Sequence, residues 1–254
     1  MALYNESIAG MRIFRGFGEI PQLKYGVATI GSFDGVHSGH MELLRRVNEI
    51  AAQHGGESMV VTFEPHPRYV LGSGERLRLL STLDEKIVLL GRADIDAVVV
   101  VPFTVEFSHT SPREFIERDI VGSGIRSLVV GYNHRFGYNK EGDYNYLEAR
   151  SVGLDVHMVE QQQIDSSKVS STIIRQAVAK GMMEKARQLS GHPYLILCDV
   201  SADGSVSGVG EHKLLPADGR YDAVVNGKPA EVEISDGVLR ICDTGFSGRV
   251  EIEL

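Results

Sequence analysis

Five short apolar, β-branched runs recur along the first 190 positions: Gly26 to Ile30, Met59 to Thr62, Ala97 to Val101, Leu128 to Val130 and Val156 to Val159. Successive runs are separated by about 30 residues, the length of one βαβ unit. Strands that are apolar throughout must be covered on both faces, and a parallel pair needs a long crossover, usually a helix. The spacing therefore predicts an α/β fold with a doubly wound parallel sheet. After the first run, Leu43, Leu44, Val47, Ile50 and Ala51 repeat at helical spacing, with Glu42, Arg45, Arg46 and Glu49 turned the other way. This helix is expected to begin near Gly39 and His40. Ser111-Pro112-Arg113-Glu114 reads as a capping box with proline at the first helical position, so a second helix should run from there to about Ile120.

From Tyr194 the period changes to two, with Tyr194, Ile196, Cys198 and Val200 alternating, and later Ala230, Val232 and Ile234. Asp203-Gly204, Asp218-Gly219, Asn226-Gly227 and Asp236-Gly237 are dipeptides favoured in tight hairpins. A small C-terminal antiparallel β module is expected, with the boundary between Leu189 and Tyr194. The predicted domains are 1–190 and 191–254.

Composition narrows the function classes. Of 254 residues, 43% are hydrophobic and 24% charged, which excludes a disordered chain. With 26 basic against 34 acidic residues, the net charge of -8 argues against a nucleic-acid binder that needs a basic face. Cys198 and Cys242 are too few for a disulfide scaffold or a four-thiolate zinc site, and a three-ligand catalytic zinc site finds no support. No apolar stretch approaches the roughly 18 residues needed to span a bilayer. The first residues, MALYNESIAGMRIF, lack the basic start of a secretory leader. A cytoplasmic protein without membrane contact is expected.

The motif Gly31-Ser32-Phe33-Asp34-Gly35-Val36-His37-Ser38-Gly39-His40 lies between the first strand and the first helix. There, backbone N–H groups and the positive end of a helix dipole face the carboxyl edge of the sheet, where phosphates bind. Gly31, Gly35 and Gly39 let a phosphate approach the main chain. His37 and His40 are three residues apart, so both imidazoles can serve one phosphate. Neither GxxxxGK[ST] nor GxGxxG at a strand end occurs, which disfavours kinase-type P-loops and dinucleotide folds. A second cluster, Lys168-Val169-Ser170-Ser171-Thr172-Ile173-Ile174-Arg175, places hydroxyls at a helix start, either as caps or as phosphate ligands, with Arg175 one turn in. A guanidinium there suits a bidentate clamp on a polyphosphate.

GxFDGxHxGH together with SSTxIR resembles the signature pair of the HxGH nucleotidylyltransferases. Thr62-Phe63-Glu64-Pro65-His66-Pro67, Leu80 to Lys86, Phe103 to Phe107, Phe115-Ile116 and Gly131-Tyr132-Asn133-His134-Arg135-Phe136-Gly137 narrow the likeness. Over roughly residues 10 to 195 the chain resembles the bacterial bifunctional riboflavin kinase/FMN adenylyltransferase family, also called FAD synthetase. The resemblance implies a Rossmann-like nucleotidylyltransferase that converts FMN and ATP to FAD and pyrophosphate, with Mg²⁺ on the ATP oxygens. His37, His40 and Arg175 would be catalytic. Gly31, Phe33, Gly39, Ser170 and Ser171 would join Arg175 in binding ATP. Phe63, His66, Pro67, Asn133 and Phe136 would line the flavin side. Alternatives are an HxGH enzyme for another phosphate acceptor and a non-catalytic flavin- or nucleotide-binding regulator.

The departures concern two places. Asn133 and His134 stand where the family often reads GxDFRFG. In the C-terminal module, Lys213-Leu214-Leu215-Pro216-Ala217-Asp218-Gly219-Arg220-Tyr221 resembles the family's KLLPxDGxY stretch, while the Pro-Thr-Ala-Asn segment that serves riboflavin phosphorylation is missing upstream of it, and the chain stops without the family's closing helix. Adenylylation without riboflavin kinase activity is expected. Val232, Ile234, Val238 and Ile252 are expected to bury one face of a remnant β module that is structural or dimerising, giving a homo-oligomer.

Overall fold

In the computed structural model, which describes residues 10–150, 153–160, 163–164 and 167–254, the apolar runs form the strands of a parallel sheet. Residues 1–9, on which the expectation of no leader rests, lie outside the described residues. The chain folds into two compact units. The second is assembled from Asp34–Ser38, Arg76–Lys86 and Gln163–Leu254, and the first from the rest of the described chain.

The first unit carries β1 (Arg12–Phe14), β2 (Gly26–Ile30), α1 (Ser38–His54, whose first residue belongs to the second unit), β3 (Glu57–Glu64) and α2 (Pro67–Val70). There follow α3 (Leu83–Gly91), which begins in the second unit, β4 (Ala97–Pro102), α4 (Val105–Ser108), α5 (Pro112–Glu114), β5 (Ile125–Gly131), α6 (Tyr144–Arg150) and β6 (Asp155–Val159). The strand order is β1-β4-β3-β2-β5-β6. The chain steps from β2 to β3 to β4 on one side and then returns to place β5 on the other side of β2. That reversal makes the carboxyl ends of β2 and β5 a topological switch point, where ligands of open α/β sheets bind. Ala28, Met59, Val99 and Leu128 pack against Phe115, Ile116 and Ile120 in one core. The alternate residues Val27, Val60, Val98 and Val129 point to the opposite face and are buried too, so the sheet is covered on both sides.

Local signals set the ends of these elements. Ser111 Oγ accepts the Glu114 amide at 3.2 Å, the expected half of the capping box. The Glu114 carboxylate turns outward to Arg118 instead of reaching back. The helix also differs from expectation: one α turn gives way to a π-helical stretch over Phe115–Val121. The short edge strand β1, paired with β4, has no counterpart in the apolar spacing.

The second unit holds β7 (Gln163–Ile164), β8 (Ser167–Lys168), α7 (Ser171–Ala179) and α8 (Met183–Ser190), then β9 (Leu195–Val200), β10 (Val206–Ser207), β11 (Gly219–Val225), β12 (Lys228–Ser235), β13 (Val238–Ile241) and β14 (Gly248–Glu253). The last six form an antiparallel, barrel-like sheet in the order β10-β9-β14-β11-β12-β13. Ile196, Cys198, Val200, Val232, Ile234 and Ile252 share its core with Ile174, Ala177 and Val178 of α7. Asn226-Gly227 and Asp236-Gly237 have positive φ at both positions, as a two-residue type I′ hairpin requires. Two expectations are corrected. Asp218-Gly219 joins no hairpin but opens β11, with Asp218 accepting the Asp236 amide. Val238 is 51% exposed and Leu239 is buried, because the two-residue turn pairs Ile234 with Leu239 on the inner face and Ser235 with Val238 on the outer.

Candidate active site

The carboxyl ends of the central strands in the first unit open into a cavity of about 610 Å³. Ile30 contributes from the end of β2 and Gly31 and Ser32 from just after it, Phe63 from β3, Phe103 from the residue after β4, and His134 to Lys140 from the segment after β5. A group of phenylalanine rings forms one part of its wall. Phe63 meets Phe103 edge-on at 5.6 Å, Phe103 meets Phe107 at 5.7 Å, and Phe115 lies 6.0 Å from Phe136. Thr104 caps α4 by accepting the Phe107 amide at 3.1 Å, which fixes that ring's place in the chain of contacts. A concave space of this size, with more apolar than polar lining, suits one flat aromatic ligand.

Of the residues expected on this side, Phe63, Pro67 and Phe136 line the cavity, whereas His66 and Asn133 do not. His66 instead caps α2, its Nδ1 accepting the Arg68 amide at 3.2 Å, and Asn133 is exposed. Its neighbour His134 takes the wall position, stacked near Phe136 at 5.7 Å. Burial lowers the His134 pKa to about 4, so the ring is neutral at pH 7. Its Nε2 is buried with no hydrogen-bond partner among the described residues.

The second unit contains the loop Asp34–Ser38, and Asp34 is its hub. This carboxylate is 4% exposed and accepts from three donors: the amides of Leu80 at 2.8 Å and Ser81 at 3.0 Å, and Arg175 Nη2 at 2.7 Å. The Asp34 carbonyl accepts from Ser171 Oγ at 3.0 Å. Gly35 is held on both sides, its amide donating to Ser81 Oγ at 2.9 Å and its carbonyl meeting His192 Nε2 at 3.0 Å. Ser38 Oγ donates to the Leu189 carbonyl at 2.8 Å. The turn runs through left-handed backbone at Gly35 and also at Val36, a conformation costly for a β-branched residue, so these contacts hold it against strain. A Cβ at Gly35 would stand 2.8 Å from Leu80 Cδ1, which explains glycine there.

His37 is 7% exposed, and burial lowers its pKa to about 4, with Asp34 opposing and His192 and Arg175 adding to the depression. It is a neutral hydrogen-bonding group at pH 7, whereas Arg175 is permanently charged. His40 lies in the first turn of α1, its ring 4.8 Å from that of Phe33. Gly39 occupies the same turn. Ser170 is the N-cap residue of α7 but makes no capping hydrogen bond, and Ser171 spends its hydroxyl on Asp34. The two distant motifs are thus joined, through Arg175 and Ser171, at Asp34. The structure adds Asp34, Ser81 and His192 to this cluster and Phe103, Phe107, Phe115 and His134 to the cavity. Asp34 stands inside the glycine-rich loop, and Ser81, Phe103, Phe107, Phe115 and His134 lie in stretches that carry the resemblance, but nothing in the sequence assigns them to this cluster or to the cavity wall.

Residues 20–173 match the model of the FAD synthetase family. A bifunctional riboflavin kinase/FMN adenylyltransferase of Listeria monocytogenes is 36% identical over 170 residues, covering 66% of this chain and 54% of that protein. A protein named FAD synthetase from the same organism is 30% identical over 225 residues, covering 85% of this chain and 90% of its own length. The chain thus spans little more than half of the first relative's length. Among solved structures, one titled a macrolide-efflux protein from Streptococcus pneumoniae superposes with a TM-score of 0.80 at 23% identity, covering 96% of this chain and 88% of that one, a likeness of fold.

Proposed function

The chain belongs to the FAD synthetase family, and on that premise we propose that it is an FMN adenylyltransferase, making FAD and pyrophosphate from FMN and ATP. An FMN phosphate oxygen forms a bond to the α-phosphorus of ATP, the bond from that phosphorus to the bridging oxygen breaks, and pyrophosphate leaves with the electron pair. Such a reaction needs no covalent nucleophile from the protein, only alignment of two polyanions and stabilisation of developing charge. The observation that carries the reading is the 2.7 Å bond between Arg175 and Asp34, which unites the SSTxIR motif with the GxFDGxHxGH loop.

In this reading the aromatic cavity takes the isoalloxazine ring, with Phe63, Pro67 and Phe136 as walls and His66 and Asn133 holding the turns beside it. His37 and His40 donate hydrogen bonds to the transferring phosphate. Gly31, Phe33 and Gly39 shape the loop around ATP, and Ser170, the backbone amide of Ser171 and Arg175 receive its β- and γ-phosphates at the start of α7. Among the described residues no group of three or more His, Cys, Asp or Glu can hold a metal ion. Magnesium would be brought with ATP and would neutralise charge on its phosphates, as that cation commonly does.

Residues 1–190 form the adenylyltransferase domain and 191–254 a β module without riboflavin kinase activity. The module keeps KLLPADGRY but lacks the Pro-Thr-Ala-Asn segment upstream, and with it the threonine and asparagine that would balance γ-phosphate charge. The reading includes a cytoplasmic location, small-molecule substrates and self-association through the module. No helix among the described residues is long and apolar enough to cross a membrane. Pyrophosphate release measured with FMN, ATP and Mg²⁺ tests the reading. Turnover in proportion to enzyme supports it. ATP binding with no turnover on FMN points to another phosphate acceptor or to a regulator.

A further inference from the structure

In the reading proposed above the KLLPADGRY stretch serves no kinase chemistry, yet its lysine is among the most enclosed side chains of the second unit. Lys213 has 0% side-chain exposure. Its Nζ donates to the Leu80 carbonyl at 2.6 Å, the Leu195 carbonyl at 2.6 Å and Glu85 Oε2 at 2.8 Å, and sits 4.1 Å from the centre of the Tyr194 ring. Glu85 is satisfied in turn by the amides of Thr82 at 2.8 Å and Leu197 at 2.9 Å. The backbone joins in: Leu79 donates to the His212 carbonyl and accepts from the Leu214 amide, both at 2.8 Å, and Tyr194 Oη donates to the Leu214 carbonyl at 2.6 Å.

The segment pinned in this way is the one that serves Asp34. Leu80, whose carbonyl is held by Lys213, donates its own amide to Asp34 Oδ1, and Ser81 next to it donates a second. Ser81 Oγ holds the Gly35 amide. Asp34 Oδ2 then receives Arg175. A buried amine with a carboxylate and two carbonyls around it is a costly device for stability alone, since packed apolar groups serve as well or better. Its worth lies in fixing where the groups stand.

We propose that Lys213 is a positioning residue for adenylyl transfer: through the 80–85 turn it holds Asp34, and through Asp34 it aims Arg175 and the His37 loop at the ATP phosphates. The β module is then a working part of the nucleotide site, which gives a chain without riboflavin kinase chemistry a reason to keep it. The inference rests on the adenylyl-transfer reading of this site.

The test is Lys213→Met combined with Glu85→Gln, which removes the ion pair without leaving a buried charge unpaired. The double variant, folded by circular dichroism, is expected to bind FMN within twofold of wild type, because the aromatic cavity lies in the other unit. KM for ATP should rise at least tenfold and kcat fall by a similar factor. A general loss of structure would weaken FMN and ATP binding together. ATP KM and kcat within twofold of wild type overturn the inference. Wild-type protein that makes no FAD at all overturns the functional reading instead. If the double variant does not fold, amide exchange in the wild-type protein decides. The Leu80 and Ser81 amides should then share the protection of the Leu197 amide, and exchange as fast as surface-loop amides refutes the positioning role.

Discussion

Replacing Asp34 by Asn keeps the side chain's shape and removes its charge. The carboxylate now accepts three hydrogen bonds, from the Leu80 and Ser81 amides and from Arg175. An asparagine keeps one carbonyl oxygen for the two amides but turns an NH₂ toward a guanidinium that only donates. The lost contact is a charge-assisted bond worth about 1.5 to 3 kcal/mol. Stranding the partner of a buried pair costs about 3 to 5 kcal/mol in general. Arg175 keeps 20% side-chain exposure, so water relieves part of that penalty. The expected loss is about 3 kcal/mol, read from urea denaturation with an unchanged m-value. Combining Asp34→Asn with Arg175→Met should recover part of it, because the double variant leaves no unpaired charge. A single-variant loss below about 1 kcal/mol, or strict additivity in the cycle, would show that Asp34 is not the hub described.

Other perturbations probe separate links. Gly35→Ala should cost about 2 to 4 kcal/mol and impair ATP binding, since the new methyl meets Leu80 and the backbone is left-handed; a variant as stable as wild type refutes the tight turn. His37 and His134 take up protons only near pH 4 when folded but near 6.5 when unfolded, so between those values the unfolded state binds more protons. Stability should be intact above pH 6.5 and fall on acidification toward pH 4 by up to about 1.4 kcal/mol per unit for each ring, and His134→Phe should flatten the slope in urea titrations. His40→Ala should lower kcat about a hundred- to a thousandfold with a much smaller change in KM for ATP; activity within a few-fold of wild type removes its assigned role. Arg175→Lys should weaken ATP binding at least several-fold by calorimetry, because an ammonium cannot make the two-point contact.

The periodicity of the sequence carried the sheet. Strands apolar throughout, such as Val98 to Val101, leave little choice but a covered parallel sheet, and the helix from Ser38 follows from its apolar spacing. Period alone did not reveal the cavity wall, because Phe103, Phe107 and Phe115 look like ordinary core residues until the strand order puts them around one space. The partners of Asp34 lie 46, 47 and 141 residues away, and nothing local announces them. His192 falls within the expected boundary between Leu189 and Tyr194, and its ring meets the carbonyls of Gly35 and Pro193. The motif around Lys213 points only to a kinase remnant, and the enclosure of its amine by Glu85, Leu80 and Leu195 emerges only in the fold.

The most direct test of adenylyl transfer without riboflavin phosphorylation follows the phosphorus atoms. With FMN as acceptor, label from the α-position of ATP should appear in FAD and label from the γ-position in pyrophosphate. With riboflavin as acceptor, neither label should enter a flavin. Transfer of γ-label to riboflavin in excess over enzyme, or failure of α-label to reach FAD, would contradict the account.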